Sequence, residues 1–295
     1  MSFRDRPETA QALNALLTGD ISIVGRMPWS SNATFLVDVV NAGAGKMDAD
    51  GKDAGETDGE DAGETEETDF PIQAVYKPVR GERQLWDFPP GLHKRERACF
   101  LLSEALGWNL VPPTIIRDGP LGEGSLQLFV LADFEHHYFT IRQIDSLGLQ
   151  LRRLCAFDFV ANSTDRKSGH VLLTAETEPQ NENQPQSENE AQIQSEPKSE
   201  TEPQSETSIF AIDNGLSFHS DFKLRTVLWD YSGEPLPQCV MSDLAAFLAR
   251  PAYDELLEVL TSAEVGAALE RAELLLESGV FPTDPSGQRW PWPIV

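Results

Sequence analysis

Two short segments place a carboxylate beside a β-prone apolar run. In Asn162–Leu173, Asp165 precedes His170 by five residues; in Ile209–Gly215, Asp213 stands directly before Asn214-Gly215. Phosphoryl transfer asks a protein for positioning and charge neutralisation more than for covalent chemistry. These residues could supply both: Asp165 could orient an attacking hydroxyl, Asp213 could bind Mg²⁺, and His170 could hold a metal or a phosphate oxygen.

A cation and its partner are also present. Lys77 ends the apolar run Ala74-Val75-Tyr76-Lys77-Pro78, where a strand would hold its ammonium rigidly enough to clamp nucleotide phosphates. The ordinary alternative is a solvated strand-end lysine. Glu96, nineteen residues on, could pair with Lys77; the bases Lys94, Arg95 and Arg97 beside it offer local pairing instead, and Glu104 is a rival. Ser30, Ser31 and Asn32 occupy a connection between two β-prone runs, where their hydroxyls and amide could bond phosphate oxygens or make an ordinary turn. His136, His137 and His219 lack cysteines or carboxylates at zinc-ligand spacing, which argues against a zinc site.

The elements that must position these residues alternate clearly. The spacing predicts a helix over Pro7–Leu17, strands at Ile21–Val24, Ala33–Val39 and Gln73–Pro78, and a helix over His93–Leu106 closed by Gly107. A hairpin of Thr114–Arg117 with Gly124–Leu131 follows, then a buried helix over Ser146–Asn162. The two carboxylate-bearing strands come next, then helices at Met241–Leu248 and Glu255–Leu276, the last interrupted near Thr261-Ser262. A mainly β first lobe (1–131) would therefore precede a mainly α second lobe (132–295).

Composition bounds the reading. The chain has 295 residues and a formal net charge of −25. Two segments, 42–69 and 174–208, are acidic and poor in apolar residues, so both are expected to be disordered insertions. Asp48–Asp69 and Thr174–Ser208 carry 18 of the 25 net negative charges, which makes the remainder only mildly acidic. No basic and aromatic stripe offsets the acidity, so nucleic acid is not an expected partner. The three cysteines are far apart in apolar runs and read as buried thiols. No run of about 18 apolar residues exists, and the N-terminus shows no apolar signal region, so a cytoplasmic protein with no transmembrane segment is expected.

The motifs taken together resemble a known group, the actinobacterial SCO-type conserved family labelled phosphatidylinositol 3- and 4-kinase-like, within the kinase-like superfamily. The resemblance spans essentially the whole chain outside the two insertions. It rests on Gly25-Arg26 with Trp29–Leu36, on Ala74–Pro78, on Ser103–Trp108 with Val111–Thr114, on Asn162 with Asp165–His170, on Ile212–Gly215, and on Leu224–Trp229 with Gly233–Pro237.

The resemblance implies an α+β, two-lobed protein-kinase-like fold with ATP and Mg²⁺ in the cleft. It also implies site roles. Asp165, Lys77 and Glu96 would be catalytic; Ser30, Ser31, Asn32, Lys77, Val130 and Lys167 would bind the nucleotide; His170 and Asp213 would hold the metal. The lipid-kinase catalytic loop reads Asp-Arg-His-Asn-x-Asn, so Asp165 and Arg166 match while Lys167, Ser168 and His170 replace the His and both Asn residues. The Asp-Phe-Gly motif becomes Asp213-Asn214-Gly215.

The expected activity is an ATP- and Mg²⁺-dependent phosphotransferase acting on a protein, lipid or small-molecule hydroxyl. The segment Leu216–Asp221 lacks basic residues suited to a lipid headgroup, which raises a protein or small-molecule acceptor to at least equal standing. The alternative is a nucleotide-binding pseudokinase serving as a regulatory interaction module.

Overall fold

The computed structural model describes residues 7–28, 32–40, 71–174 and 207–295. The expected insertion 42–69 lies outside the described residues, and so do Ser30 and Ser31. The chain is α+β, with an antiparallel sheet formed early and most helices after it.

Helix α1 (Pro7–Thr18) leads into β1 (Asp20–Arg26), β2 (Phe35–Val40) and β3 (Ile72–Pro78). Helix α2 (Leu92–Leu106) follows and ends as its sequence predicts, with Gly107 in the left-handed region at φ 67°. The hairpin β4 (Thr114–Gly119) and β5 (Gly122–Leu128) then returns to the sheet, whose order is β1-β2-β3-β5-β4. This order makes β3 the central strand, bonded along both edges, so Lys77 stands on the most constrained strand of the sheet.

Alternation decides which way Lys77 points. Val37, Val39, Ala74, Tyr76, Ile115 and Leu126 form a buried cluster with Leu16 of α1 on one face of the sheet. Tyr76 belongs to that face, so its neighbours Val75 and Lys77 project from the other. Gln127, directly opposite Val75, shares the Lys77 side.

The helical part is built around α4 (Gly148–Ala161), in which Leu151, Leu154, Ala156, Phe157, Val160 and Ala161 are fully buried. Before α4 comes the short α3 (Tyr138–Ile141), which the sequence pattern did not suggest. Helices α5 (Gln238–Leu248), α6 (Asp254–Leu257) and α7 (Ser262–Ser278) complete the larger core. The interruption near Thr261 is a helix start: Thr261 and Glu264 cap α7 reciprocally.

Two boundaries differ from expectation. Thr174 and Ser208, assigned to the second insertion, instead form the closing pair of a two-stranded ladder, β6 (Val171–Thr174) with β7 (Ser208–Ala211). Their side chains carry little apolar weight, which hid them, but the ladder is extended by their backbone. The strand expected to reach Leu131 ends at Leu128; the amide of Phe129 still bonds Gln73, whereas Leu131 is exposed. Val130 therefore lies in the connection between the sheet and the helical part. Cys99 and Cys155 are buried as expected, but Cys239 on α5 is exposed. No helix among the described residues is long and apolar enough to cross a membrane.

Gly124 lets β5 approach Lys77 closely. A Cβ there would sit 2.5 Å from the Lys77 carbonyl oxygen and 2.7 Å from Pro78 Cα, both backbone atoms that cannot swing away. Gly124→Ala is expected to lose about 1–3 kcal/mol of stability, as overpacking does. Urea unfolding checks this, and a wild-type midpoint would contradict it.

Candidate functional site

The structure gathers Lys77, Glu96, Asp213, His170 and Asp165 in one cleft between the sheet and the β6–β7 ladder. Lys77 Nζ donates to Glu96 Oε1 at 2.5 Å and to Asp213 Oδ1 at 2.8 Å. Burial alone would lower the Lys77 pKa, but Asp213 and Glu96 outweigh it and hold the ammonium above its ordinary range. Lys77 in turn holds the Asp213 carboxyl well below the usual carboxylate range. Neither rival arrangement occurs: Glu96 bonds the strand lysine rather than its helical neighbours, and Glu104 does not take that place.

Glu96 reaches Lys77 because the start of α2 is pinned. Glu82 accepts bonds from the amides of Gly91 (3.1 Å) and His93 (2.8 Å), and its Oε1 also meets His93 Nδ1 at 2.8 Å. Burial would raise the Glu82 pKa, yet these donors prevail and hold it down to about 2. The acid thus fills the anion-attracting end of the helix.

His170 has a defined tautomer. Its Nδ1 lies 3.0 Å from the Asp165 carbonyl oxygen, which can only accept, so Nδ1 carries the hydrogen. Nε2 then presents a lone pair 3.5 Å from Asp213 Oδ2. Burial pushes the imidazole pKa down to about 4 despite the nearby Asp213 charge, so the ring is neutral at pH 7. Two electron-rich atoms consequently face each other with no proton between them. That is a donor pair suited to a cation or a bridging water.

Asp165 is raised above its ordinary pKa by burial, which outweighs its ion pair with Lys167 at 2.9 Å. Lys167 therefore meets Asp165 directly. Asn32 Oδ1 accepts the Arg83 amide at 2.9 Å, tying the β1–β2 connection to the loop after β3.

Three adjoining volumes surround these groups. A mostly apolar cavity of about 280 Å³ is walled by Val75, Leu128, Phe129, Val130, Leu172 and Ile212, with Lys77 and Asp213 at its inner end. A polar chamber of about 50 Å³ shares Lys77 and Asp213 with it and adds Asn32, His93, Glu96 and Asp165. Beyond the chamber, sharing Glu82 and Leu92, lies a groove of about 510 Å³ beside the turn Leu85–Phe88, with Trp86 at 97% exposure on its tip. This turn is tied to the segment after Asp213: the Phe88 and His219 rings lie 5.3 Å apart, and Lys223 Nζ bonds the Asp87 carbonyl.

Several site residues gave no signal that the sequence reading used. Asp158 on α4 pairs with Arg166, with side chains 0% and 1% exposed. Asp158 also accepts from Ser163 at 2.8 Å and Thr226 at 2.9 Å. An acid between Phe157 and Phe159 in an apolar helix was the available clue, because a buried charge demands a partner. The C-terminal segment also contributes: the Ile294 carbonyl accepts the Ser168 amide at 2.9 Å, inside the Asp165–His170 loop. Among the described residues, no group of three or more His, Cys, Asp or Glu side chains is arranged to hold a metal by itself.

No family model matches the chain. The chain is 33% identical over 316 aligned positions to Protein Rv2133c of Mycobacterium tuberculosis, an alignment covering 94% of this chain and 93% of that one. It belongs to the family of that mycobacterial protein. The relative's actinobacterial source agrees with that part of the sequence resemblance, and its name states no activity.

The half-buried imidazole gives the site a pH signature. His170 titrates near 4 in the folded chain and near ~6.5 when unfolded, so the unfolded state binds more protons between those values. Its contribution to stability is complete above pH ~6.5 and lost on acidification toward pH 4, a loss on the order of 2–3 kcal/mol. His170→Gln is expected to flatten this slope when urea unfolding is followed from pH 7 to pH 4. An unchanged slope would refute the assignment.

Proposed function

We propose that this protein is an ATP- and Mg²⁺-dependent phosphotransferase of the phosphatidylinositol kinase-like type, with a nucleotide-binding first lobe (1–131) and a catalytic second lobe (132–295). The observation that carries the reading is the strand-borne ammonium of Lys77 held between Glu96 and Asp213 at the inner end of an apolar cavity. An apolar slot that ends in a fixed cation suits a flat base joined to an anionic tail.

The donor chemistry fits the implied groups. Asp213 Oδ2 and the neutral His170 Nε2 would hold Mg²⁺, with phosphate and water oxygens completing its shell; bound there, the ion neutralises phosphate charge. Lys77 would contact the phosphates, and Val130 would line the place of the base. Asp165, with its pKa raised by burial, would orient the acceptor hydroxyl and take its proton. Lys167 beside it would keep the local charge balanced. The groove at Trp86 shares Glu82 and Leu92 with the chamber holding Asp165, so the acceptor body would lie there. Its free aromatic tip suits a protein or small-molecule acceptor.

A second reading, a nucleotide-binding pseudokinase acting as a regulatory module, is favoured by one observation. The metal position is shared by an imidazole nitrogen, whereas Mg²⁺ prefers oxygen ligands.

Calorimetry with ATP in the presence and absence of Mg²⁺ tests both readings at once. Wild-type protein is expected to bind ATP more tightly with Mg²⁺, and Asp213→Ala to lose that gain, a drop of at least about tenfold or ~1.4 kcal/mol. Lys77→Met is expected to reduce phosphoryl transfer by on the order of 10²-fold or more. Absence of nucleotide binding by the wild type defeats both readings; binding without any transfer leaves the pseudokinase. Trp86→Ala separates the acceptor site from the nucleotide site. It should raise the acceptor KM and leave the ATP affinity unaltered, and a change in ATP affinity instead would move the groove out of the acceptor's path.

A further inference from the structure

Asp213 holds its carboxylate out from a backbone in the left-handed region, at φ 56°. Such a conformation is costly for a residue with a side chain and persists where its surroundings impose it. Here the guanidinium of Arg166 grips the chain on both sides of Asp213. Nη1 donates to the Ile212 carbonyl at 2.8 Å and Nη2 to Asn214 Oδ1 at 2.6 Å. Nε donates to Asp158 at 3.1 and 3.3 Å.

Asn214 carries the grip further. Its Nδ2 donates to the Ala211 carbonyl at 3.1 Å, closing the turn onto the end of β7. Its backbone amide donates to Glu96 Oε2 at 3.0 Å, the oxygen that Lys77 leaves free. The Cys99 thiol, one turn along α2, lies 3.8 Å from its carbonyl oxygen. Asn214, Arg166, Asp158 and Glu96 are all buried, so these bonds have little competition from water.

We propose that Asn214 is the positioning residue that couples α2 to the Asp165–His170 loop and so holds Glu96 and Asp213 on either side of Lys77. An amide is required for the role. Arg166 needs an acceptor and Ala211 needs a donor, and one side chain serves both. A phenylalanine, the residue of the Asp-Phe-Gly motif, would offer neither and leave an Arg166 N–H unpaired in the interior. An aspartate would keep the acceptor and lose the donor. Gly215 fits the same scheme: a Cβ there would lie 3.3 Å from Leu92 Cβ and 3.4 Å from Glu96 Oε1, a tight fit that a larger residue would meet only by moving the turn or the helix by a few tenths of an ångström.

The coupling is measurable without any ligand. In Asn214→Leu, which removes both side-chain bonds at similar shape, amide hydrogen exchange is expected to accelerate about tenfold or more in residues 92–99 and 165–170 together, with residues 268–278 of α7 unaffected. Loosening of only one of the two segments would overturn the coupling, and equal loosening of α7 would show a merely structural role.

The bearing of this arrangement on activity rests on the phosphotransferase reading, so a second arm addresses it. Asn214→Leu should lose the Mg²⁺-dependent gain in ATP affinity while metal-free ATP binding stays within about threefold of wild type; Asn214→Asp, which keeps the acceptor for Arg166, should recover part of the gain. An equal fall with and without Mg²⁺, or no recovery by Asn214→Asp, would overturn the positioning role. If the wild type binds no nucleotide, the phosphotransferase reading fails and the exchange experiment still decides the coupling.

Discussion

A buried ion pair, Asp158 with Arg166, is the constraint on which the rest of the site depends. Both groups have left water almost completely, and a pair in that position is tolerable only when its remaining donors and acceptors are filled. Filling them organises the site. Asp158 takes Ser163 and Thr226 from the two segments beside it; Arg166 takes the backbone and side chain around Asp213. The pair is therefore better understood as a specification of geometry than as a source of stability.

From that pair the arrangement extends outward in order. The turn at Asp213 fixes one carboxylate, its following amide fixes Glu96, and the two acids fix Lys77, whose strand lies in the middle of the sheet. Sheet, helix and loop thus meet at Lys77 through polar contacts, with one apolar core beneath α1 and a larger one that runs from α4 to α2 and the β6–β7 ladder.

The fold was legible where apolar periodicity was strong. α2 and α4 declare themselves by buried stripes, and Gly107 marks the end of α2 by its freedom at positive φ. Lys77, Glu96, Asp165, His170 and Asp213 could be chosen by type and spacing, since polar residues at the ends of short apolar runs are conspicuous. What could not be read was pairing. Nothing in the sequence says that Glu96 bonds Lys77 rather than Arg97, or that Lys167 turns to Asp165, because those choices are made by backbone placement far away in the chain. Asp158 was hidden for a different reason: one acid in a hydrophobic helix does not alter the pattern that identifies the helix. Thr174 and Ser208 were hidden by composition, because ladder bonds belong to the backbone and low-complexity sequence masks them.

The capped start of α2 has a wider meaning for recognition. Protein sites for anions often rely on a row of free peptide N–H groups at a helix start, which accept a phosphate from many directions and tolerate variation in its length and charge. In this chain Glu82 already occupies the amides of Gly91 and His93. Among the described residues lining the apolar cavity, the fixed cation at its inner end is Lys77, on a strand that cannot slide. On the phosphotransferase reading the cleft would therefore work as a ruler, selecting a ligand by the distance between its flat apolar part and its first negative charge.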